Sequence, residues 1–346
     1  VMRLAIVIPA HNEEAVILQT CRELQLVLGE LVKQGEIARE SFICFIDDGS
    51  KDKTWEILQD ISRDTMRLES TQQLSTDIDS KASQPQVGKT EYIAISAIKL
   101  SRNYGHQNAL LAGLEYVADK SDCAISIDCD LQDDISVIDE FVRKAKAGAE
   151  VIYGVRKKRD TDSFFKKYTA LGFYKLMALM GVKITYNHAD YRLLSARAIK
   201  SLLNFNEVNL FLRGIVPLLG FKSDVVEYDR LERFAGESKY PLMKMLSFAW
   251  NGITSFSVTP LRLVSVLGVV FFLLSIGLGA WVLYVKLFTS GVMYGWASTM
   301  IPLCFFSGIQ LLSLGVIGEY IGKIYAESKH RPRYFIEDIA NPRKNL

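Results

Sequence analysis

The sequence predicts an α/β fold: a mostly parallel sheet with helices on both faces, followed by amphipathic segments and a two-helix transmembrane hairpin near the C-terminus. Three observations predict it. Up to about residue 160, short apolar runs alternate with longer amphipathic stretches. Acidic and polar residues collect where the apolar runs end. Two long uncharged runs lie between residues 263 and 318.

The strands come first. LAIVIP (4–9), FICFID (42–47), YIAISAIKL (92–100), AISIDCD (124–130) and EVIYGV (150–155) are short apolar runs bounded by polar turns. Between them, residues 13–31, 54–68 and 106–119 carry apolar side chains at helical spacing. Strand alternating with helix implies a parallel sheet covered on both faces. In such sheets ligands bind beyond the carboxyl ends of the strands. His11–Asn12, Asp47–Asp48 and Asp128–Asp130 all stand at such ends and are expected to share one sheet edge.

Residues 70–91 are polar and without periodicity, which predicts an exposed loop insertion. The run at 263–285 and the one at 296–318 are each long enough to cross a bilayer, which takes about 20 apolar residues. The alternative, a pair of buried core helices, would seldom run this far without a charge. Lys239, Lys244 and Arg262 precede the pair, and Lys323, Lys329, Arg331, Arg333, Arg343 and Lys344 follow it. By the positive-inside rule both ends face the cytoplasm. Pro302 is expected to kink the second span. Residues 163–182 and 240–260 combine aromatic, Leu and Met positions with lysines, as interfacial helices do. Ordinary packing against the sheet is the alternative for both. SIGLGA (275–280) permits close helix packing, and so a homo-oligomer, without requiring it.

Composition narrows the function. Lys and Arg number 41 against 39 Asp and Glu, a net charge of +2, which argues against a nucleic-acid partner held by bulk charge. The five cysteines are scattered and lack metal-ligand spacing, in keeping with a reducing compartment. The N-terminal apolar run is too short for the core of a signal peptide.

Three motifs carry chemistry. DDGSKDKT (47–54) forms a turn after a strand; Asp52 suits a helix cap, and Asp48 could accept hydrogen bonds from a base or ribose. KLSRNYGHQNALLAG (99–113) sets Lys99, Arg102 and Asn103 beside a helix start, a natural place for an anion. In SIDCDLQDD (126–134), Asp128 and Asp130 flank one residue, so on an extended backbone both point the same way. With Gln132 they offer hard oxygen ligands at alternate positions, suited to Mg²⁺ or Mn²⁺ on a diphosphate. A bare acidic pair could equally be a solvated loop; its place at a strand end, about 80 residues after the DDGS turn, favours the metal.

VIPAHNEE, FIDDGSKDKT, LSRNYGHQNALLAGL and SIDCDLQDD, in that order, resemble the inverting family-2 glycosyltransferases of the GT-A (Rossmann-like) fold. The nearer likeness is to the polyprenyl-phosphate branch, which includes dolichol-phosphate mannose synthase and the GtrB-type undecaprenyl-phosphate glucosyltransferases. The likeness extends through FLRGIVPLLGF (211–221), RLERFAGESKYPLMKML (230–246) and the hairpin. The 70–91 insertion departs from it.

The resemblance implies a cytoplasmic catalytic domain over 1–235, a juxtamembrane segment over 236–262, two transmembrane helices over 263–322 and a basic tail over 323–346. It implies an integral protein of the inner or plasma membrane with both termini cytoplasmic. Pro9, His11, Glu13, Asp48, Arg102 and Asp128 would bind the nucleotide-sugar donor. Asp128, Asp130 and Gln132 would hold the metal, and Asp128, Asp130, Arg156 and Arg233 would be catalytic. Arg156, Arg159, Lys167, Ser238 and Lys239 would hold the phosphate of a polyprenyl-phosphate acceptor. The Lys and Arg run at 156–167 also reads as a solvated face or an attraction to anionic lipid headgroups.

A phosphate acceptor is already anionic near neutral pH and needs no strong base. Accordingly His106 and His188 are read as non-catalytic, and His11 as a nucleotide-site residue. Glucose from UDP-glucose is the expected donor, with GDP-mannose or another UDP-sugar the alternative. A processive polysaccharide synthase would need more spans and a QxxRW motif. A nucleotidyltransferase would need a Gly-rich basic loop in place of PAHNEEA. A membrane-tethered module that only binds nucleotide-sugars is the non-enzymatic alternative.

Overall fold

The computed structural model describes residues 1–63, 93–156, 188–207, 212–229, 257–288 and 295–341. The 70–91 loop, the amphipathic segments, and Arg159, Lys167, Arg233, Ser238 and Lys239 lie outside the described residues. Two compact units are present. The first contains the described residues up to 229 together with 332–341, and the second contains 257–288 and 295–331.

The first unit is built on strands β1 (Leu4–Ala10), β2 (Phe42–Asp47), β3 (Ala94–Leu100), β4 (Cys123–Ser126), β5 (Val151–Arg156), β6 (His188–Ser195), β7 (Ser223–Tyr228) and β8 (Ile336–Ala340). They form one sheet in the order β7-β5-β6-β4-β1-β2-β3-β8. The β1–β2, β2–β3, β1–β4 and β5–β7 pairs are parallel; β4–β6, β5–β6 and β3–β8 are antiparallel. Every residue of β1 and of β2 is buried, as expected of strands covered on both faces.

Helices α1 (Ile17–Lys33), α2 (54–63), α3 (His106–Val117), α4 (Ile138–Lys146), α5 (Ala196–Leu203) and α6 (Leu212–Ile215) accompany the sheet. Helix α1 buries Ile17, Cys21, Leu24, Leu28 and Leu31, one stripe at helical spacing. Helix α3 lies unusually near β1 and β2. A methyl group on Gly113 would meet the side chains of Ile46 and Val7 at 2.5 Å.

Topology places the site. From β1 the chain moves outward one way through β2 and β3, then returns to add β4 on β1's other side. The switch point therefore falls between the carboxyl ends of β1 and β4, where such sheets form their crevice.

Two expectations change here. The segment 124–130 was expected to be extended, but β4 ends at Ser126 and residues 129–130 form a turn, with Leu131 in the left-handed region at φ 53°. The two-residue alternation that would aim Asp128 and Asp130 alike does not apply. Likewise, the basic tail contributes a strand: β8 pairs with β3, Ile98 opposite Ile339 and Lys99 opposite Asp338. Lys99 also bonds Glu337 at 3.1 Å.

In the second unit, helices α7 (Thr259–Phe288) and α8 (Trp296–Ser328) are longer than the two apolar runs read from the sequence. Phe271 of α7 stacks edge-on against Phe306 of α8 at 5.5 Å. The Tyr320 hydroxyl donates to the Ser257 carbonyl at 2.6 Å. Their apolar windows, Thr259–Trp281 and Phe305–Ser328, have mean hydropathies of 2.5 and 1.3, yet 0% and 6% of them is buried. Core helices would be buried, so these two helices are suited to cross a membrane. Helix α8 runs continuously through Pro302.

Candidate active site

Two loops at the sheet's carboxyl edge are stitched together. Asn12, in the left-handed region at φ 56°, donates its N–H to the Ser50 hydroxyl and accepts from the Lys51 N–H at 2.8 Å. Glu13 N–H donates to the Thr54 hydroxyl at 2.9 Å, and Glu14 N–H to Asp52. The His11 ring hydrogen-bonds the Asp48 carbonyl at 2.9 Å. Glu13 and Glu14 are thus spent on this seam, and α1 starts at Ile17 instead of 13.

Asp48 has a definite task of its own. Its two carboxylate oxygens accept the Tyr104 and Gly105 N–H groups at 2.7 and 2.9 Å. That clamps the 101–105 loop against the DDGS turn. Gly49 completes the contact: its φ is +62°, and a methyl group there would lie 2.4 Å from the Arg102 carbonyl carbon. The Arg102 guanidinium sits 4.3 Å over the Tyr104 ring.

The acidic turn after β4 is held from several sides. Thr20 on α1 donates its hydroxyl to the Cys129 carbonyl at 2.7 Å. Gln132 N–H donates to Asp130 at 3.2 Å. Burial pushes the Cys129 thiol up to about 12, so it remains a thiol. Asp133 is 2% exposed and accepts the Tyr228 hydroxyl at 2.6 Å and the Arg156 guanidinium at 3.1 Å, all on one oxygen.

Asp128 stands differently. Its side chain is 41% exposed as a whole, but Oδ1 is sealed from solvent and accepts no hydrogen bond. His106 Nε2 lies 3.5 Å from that oxygen, at the start of α3. Burial pushes the Asp128 carboxyl up to about 6; His106 opposes the shift, and the acids Asp133, Asp190 and Asp130 add to it.

Beside it, Asp190 on β6 is saturated. Arg213 grips both its oxygens, at 3.3 and 3.1 Å, and the fully buried Arg192 pairs with one. His106 is 3.8 Å away. Burial alone would raise the Asp190 carboxyl, but Arg192 and Arg213 hold it well below the usual carboxylate range.

A sealed carboxylate among other acids, at the switch point of an α/β sheet, suits a site for a cation and an anionic nucleotide. The sequence comparison decides the family. Residues 5–73 and 77–203 match Glycosyl transferase family 2, and residues 259–324 match the GtrB C-terminal hairpin. The chain belongs to glycosyltransferase family 2. It is 49% identical over 341 residues to the uncharacterized glycosyltransferase YkoT of Bacillus subtilis, covering 98% of this chain and 92% of that one. It is 38% identical to the bactoprenol glucosyl transferase of Shigella phage SfV, covering 97% of this chain and 99% of that one. The prophage bactoprenol glucosyl transferase homolog of Escherichia coli K12 is 35% identical, with 98% and 99% covered.

Within this glycosyltransferase the expected residues fall into two groups. Pro9 stands near the end of β1, and His11, Glu13, Asp48 and Arg102 stand on the loops after β1, β2 and β3. Asp128, Asp130, Gln132 and Arg156 stand on the acidic turn and at the end of β5, which Asp133 joins. His106, Asp133, Asp190, Arg213 and Tyr228 were not picked out as site residues. Their roles come from partners far along the chain, such as Tyr228 with Asp133 across 95 residues, which no local spacing reveals.

Proposed function

We propose that this glycosyltransferase transfers glucose from UDP-glucose to a membrane polyprenyl phosphate, with inversion at the anomeric carbon and with Mg²⁺ or Mn²⁺. One observation carries the reading: Asp128 keeps a carboxylate oxygen sealed and without a hydrogen bond, where burial, and then the acids around it, make it harder to ionise against the pull of His106. Such a group calls for a cation.

The residues fit that cation. Among the described residues no cluster of three or more His, Cys, Asp or Glu side chains could close around a metal. Magnesium rarely uses such a cage; it takes one or two carboxylates and completes its shell with water and substrate phosphates. Asp128 and Asp130, with the Gln132 amide, are the residues that would hold it. When bound, the ion would offset the charge that develops on the departing diphosphate.

The rest falls to the chain's own groups. His11, Glu13 and the Asp48-clamped loop form the nucleotide end, with Pro9 and Arg102 beside them. Arg156, and with it Arg233, would neutralise phosphate oxygens; guanidinium forks match them. Arg159, Lys167, Ser238 and Lys239 would hold the acceptor phosphate. The bond from the anomeric carbon to the diphosphate breaks, and UDP departs with the electron pair. An acceptor phosphate oxygen forms the new bond on the opposite face, which inverts the configuration.

No base is required, because the nucleophile arrives ionised. Asp190 accords with this: a carboxylate gripped by two arginines is a poor proton acceptor. The relatives named bactoprenol glucosyl transferase support the acceptor and the sugar. The hairpin supports delivery at a membrane. Two crossings would return the chain to the side it left. We place that side in the cytoplasm and the hairpin in the inner or plasma membrane, and we assign 1–235 as the catalytic domain.

Full-length protein in detergent tests the reading. Supplied with undecaprenyl phosphate and each of a panel of UDP-sugars and GDP-mannose, it should form a lipid-linked sugar fastest from UDP-glucose and lose activity to EDTA. A preference for GDP-mannose would reassign the donor. Full activity in EDTA would remove the metal.

A further inference from the structure

One network near the site has a buried centre. Tyr228 at the end of β7 is the direct register partner of Arg156 at the end of β5. The Tyr228 hydroxyl donates to Asp133 Oδ1 at 2.6 Å and accepts from Arg156 Nε at 3.2 Å. Arg156 Nη2 donates to the same Asp133 oxygen at 3.1 Å. The three groups close a ring of hydrogen bonds.

The ring is rigid on every side. Asp133 and Tyr228 are 2% and 1% exposed, and the Arg156 side chain is 25% exposed. The Tyr228 ring packs edge-on against Tyr191 at 5.2 Å, which in turn meets Phe141 at 4.8 Å. The Tyr191 hydroxyl donates to the Asp134 carbonyl at 3.2 Å, so two tyrosines hold consecutive residues of one turn. That turn directly follows Gln132.

We propose that Asp133 and Tyr228 are positioning residues that fix the Arg156 guanidinium for a phosphate of the reaction and tie it to the turn bearing Asp128 and Asp130. This rests on the reading that Arg156 holds a phosphate. The physical reason is preorganisation. An arginine side chain has many rotamers, and freezing them on binding an anion costs affinity. Here two of its N–H groups are already committed, so its plane is set before substrate arrives. Burial, and then Asp133, push the Tyr228 hydroxyl above its ordinary value, so it remains a donor throughout the physiological range.

The shared oxygen has a further consequence. Any movement of the acidic turn moves Arg156 with it. Cation and guanidinium would approach the donor's phosphates as one body, which is the arrangement that stabilises developing charge without reorganisation.

The test is a double-mutant cycle in full-length protein, assayed with undecaprenyl phosphate and the nucleotide-sugar from the panel that gives the fastest turnover. Tyr228→Phe removes only the hydroxyl and keeps the ring packed on Tyr191. It should fold as the parent does and lose about tenfold in kcat/KM, the loss typical when the support of a site residue is removed. Arg156→Lys should lose more. In the Arg156→Lys background, Tyr228→Phe should cost no more than about twofold, because the residue it supports is already gone. Asp133→Asn, which still accepts hydrogen bonds but without charge, should follow the same pattern.

The outcomes separate the two layers. If Arg156→Lys and Arg156→Ala retain parental activity, or the parent transfers no sugar from any donor, the underlying reading fails and takes the proposal with it. If the arginine variants are impaired but Tyr228→Phe is either silent or fully additive with them, the phosphate role survives and the positioning role does not.

Discussion

The Thr20 hydroxyl lies 2.7 Å from the Cys129 carbonyl, joining the first helix to the turn between Asp128 and Asp130. Both residues are buried, at 1% and 4% exposure, so the bond has no water to replace it. Thr20→Val keeps the shape and deletes the donor, leaving a buried carbonyl with one partner fewer. The expected cost is about 1–3 kcal/mol of stability. The turn should also loosen, raising the Mn²⁺ concentration for half-maximal turnover about tenfold. Denaturant melts and metal titrations check the two effects separately. An unchanged metal titration would show that the turn holds its shape without Thr20.

Much of this was legible in the sequence, for identifiable reasons. β1, β2 and β5 are largely apolar runs, so their being strands was legible from composition. The DDGS and DCD motifs were found where the structure puts them, at strand ends. The backbone at DCD was misjudged because Cys129 and Ile127 look like continued strand. In fact Leu131 takes a left-handed conformation that only Gly, Asn or Asp would have signalled. β8 was missed for a different reason. IEDIA is short, carries two acids and follows a basic run, so it reads as tail; it forms because the edge of β3 offers a row of unpaired backbone groups. The Asp190–Arg213 and Asp133–Tyr228 pairs are tertiary and leave no periodic trace.

Removing a carboxylate proposed for the metal should separate folding from turnover. Asp130 accepts the Gln132 N–H at 3.2 Å on a half-buried turn, and asparagine keeps that acceptor oxygen. Asp130→Asn should therefore melt within a few degrees of the parent and lose at least about 100-fold in turnover at saturating metal. Asp128→Asn should do the same and also abolish the rise in melting temperature that Mn²⁺ with UDP gives the parent. Turnover by Asp130→Asn at the parental rate would overturn the metal assignment.

The Asp190 cluster sets the acid limb of stability. Its carboxyl is held below the ordinary value in the folded chain. A depressed carboxyl contributes stability that is fully present above the unfolded value, about 3.9, and is lost as pH falls below it. The part of the melting temperature that Asp190 supplies should accordingly be constant through neutral pH and be lost below about pH 4. Asp190→Asn should flatten that drop. It should also cost about 3–5 kcal/mol at neutral pH, because buried Arg192 then lacks its charge partner. Urea melts at several pH values read both effects, and an acid limb unaltered in the variant would place its origin in other carboxylates.

The same grip on Asp190 bears on the acceptor. A catalytic base should hold its proton near the working pH, whereas the two arginines push Asp190 far in the other direction. His106 stands between two carboxylates, at 3.5 and 3.8 Å, where its ring steadies charge on Asp128 and Asp190. A hydroxyl acceptor would have to shed a proton, and among the described residues Asp190 is gripped by two arginines while Asp128 is the carboxylate proposed for the cation. A phosphate acceptor would not. Detergent-solubilised protein should therefore transfer sugar to polyprenyl phosphate and show no transfer to the free polyprenol of the same length. His106→Gln should keep that selectivity while lowering the rate, since it removes the ring that lies 3.5 Å from Asp128. Transfer to the alcohol at a rate comparable to the phosphate would mean that Asp190 or His106 works as a base despite its surroundings.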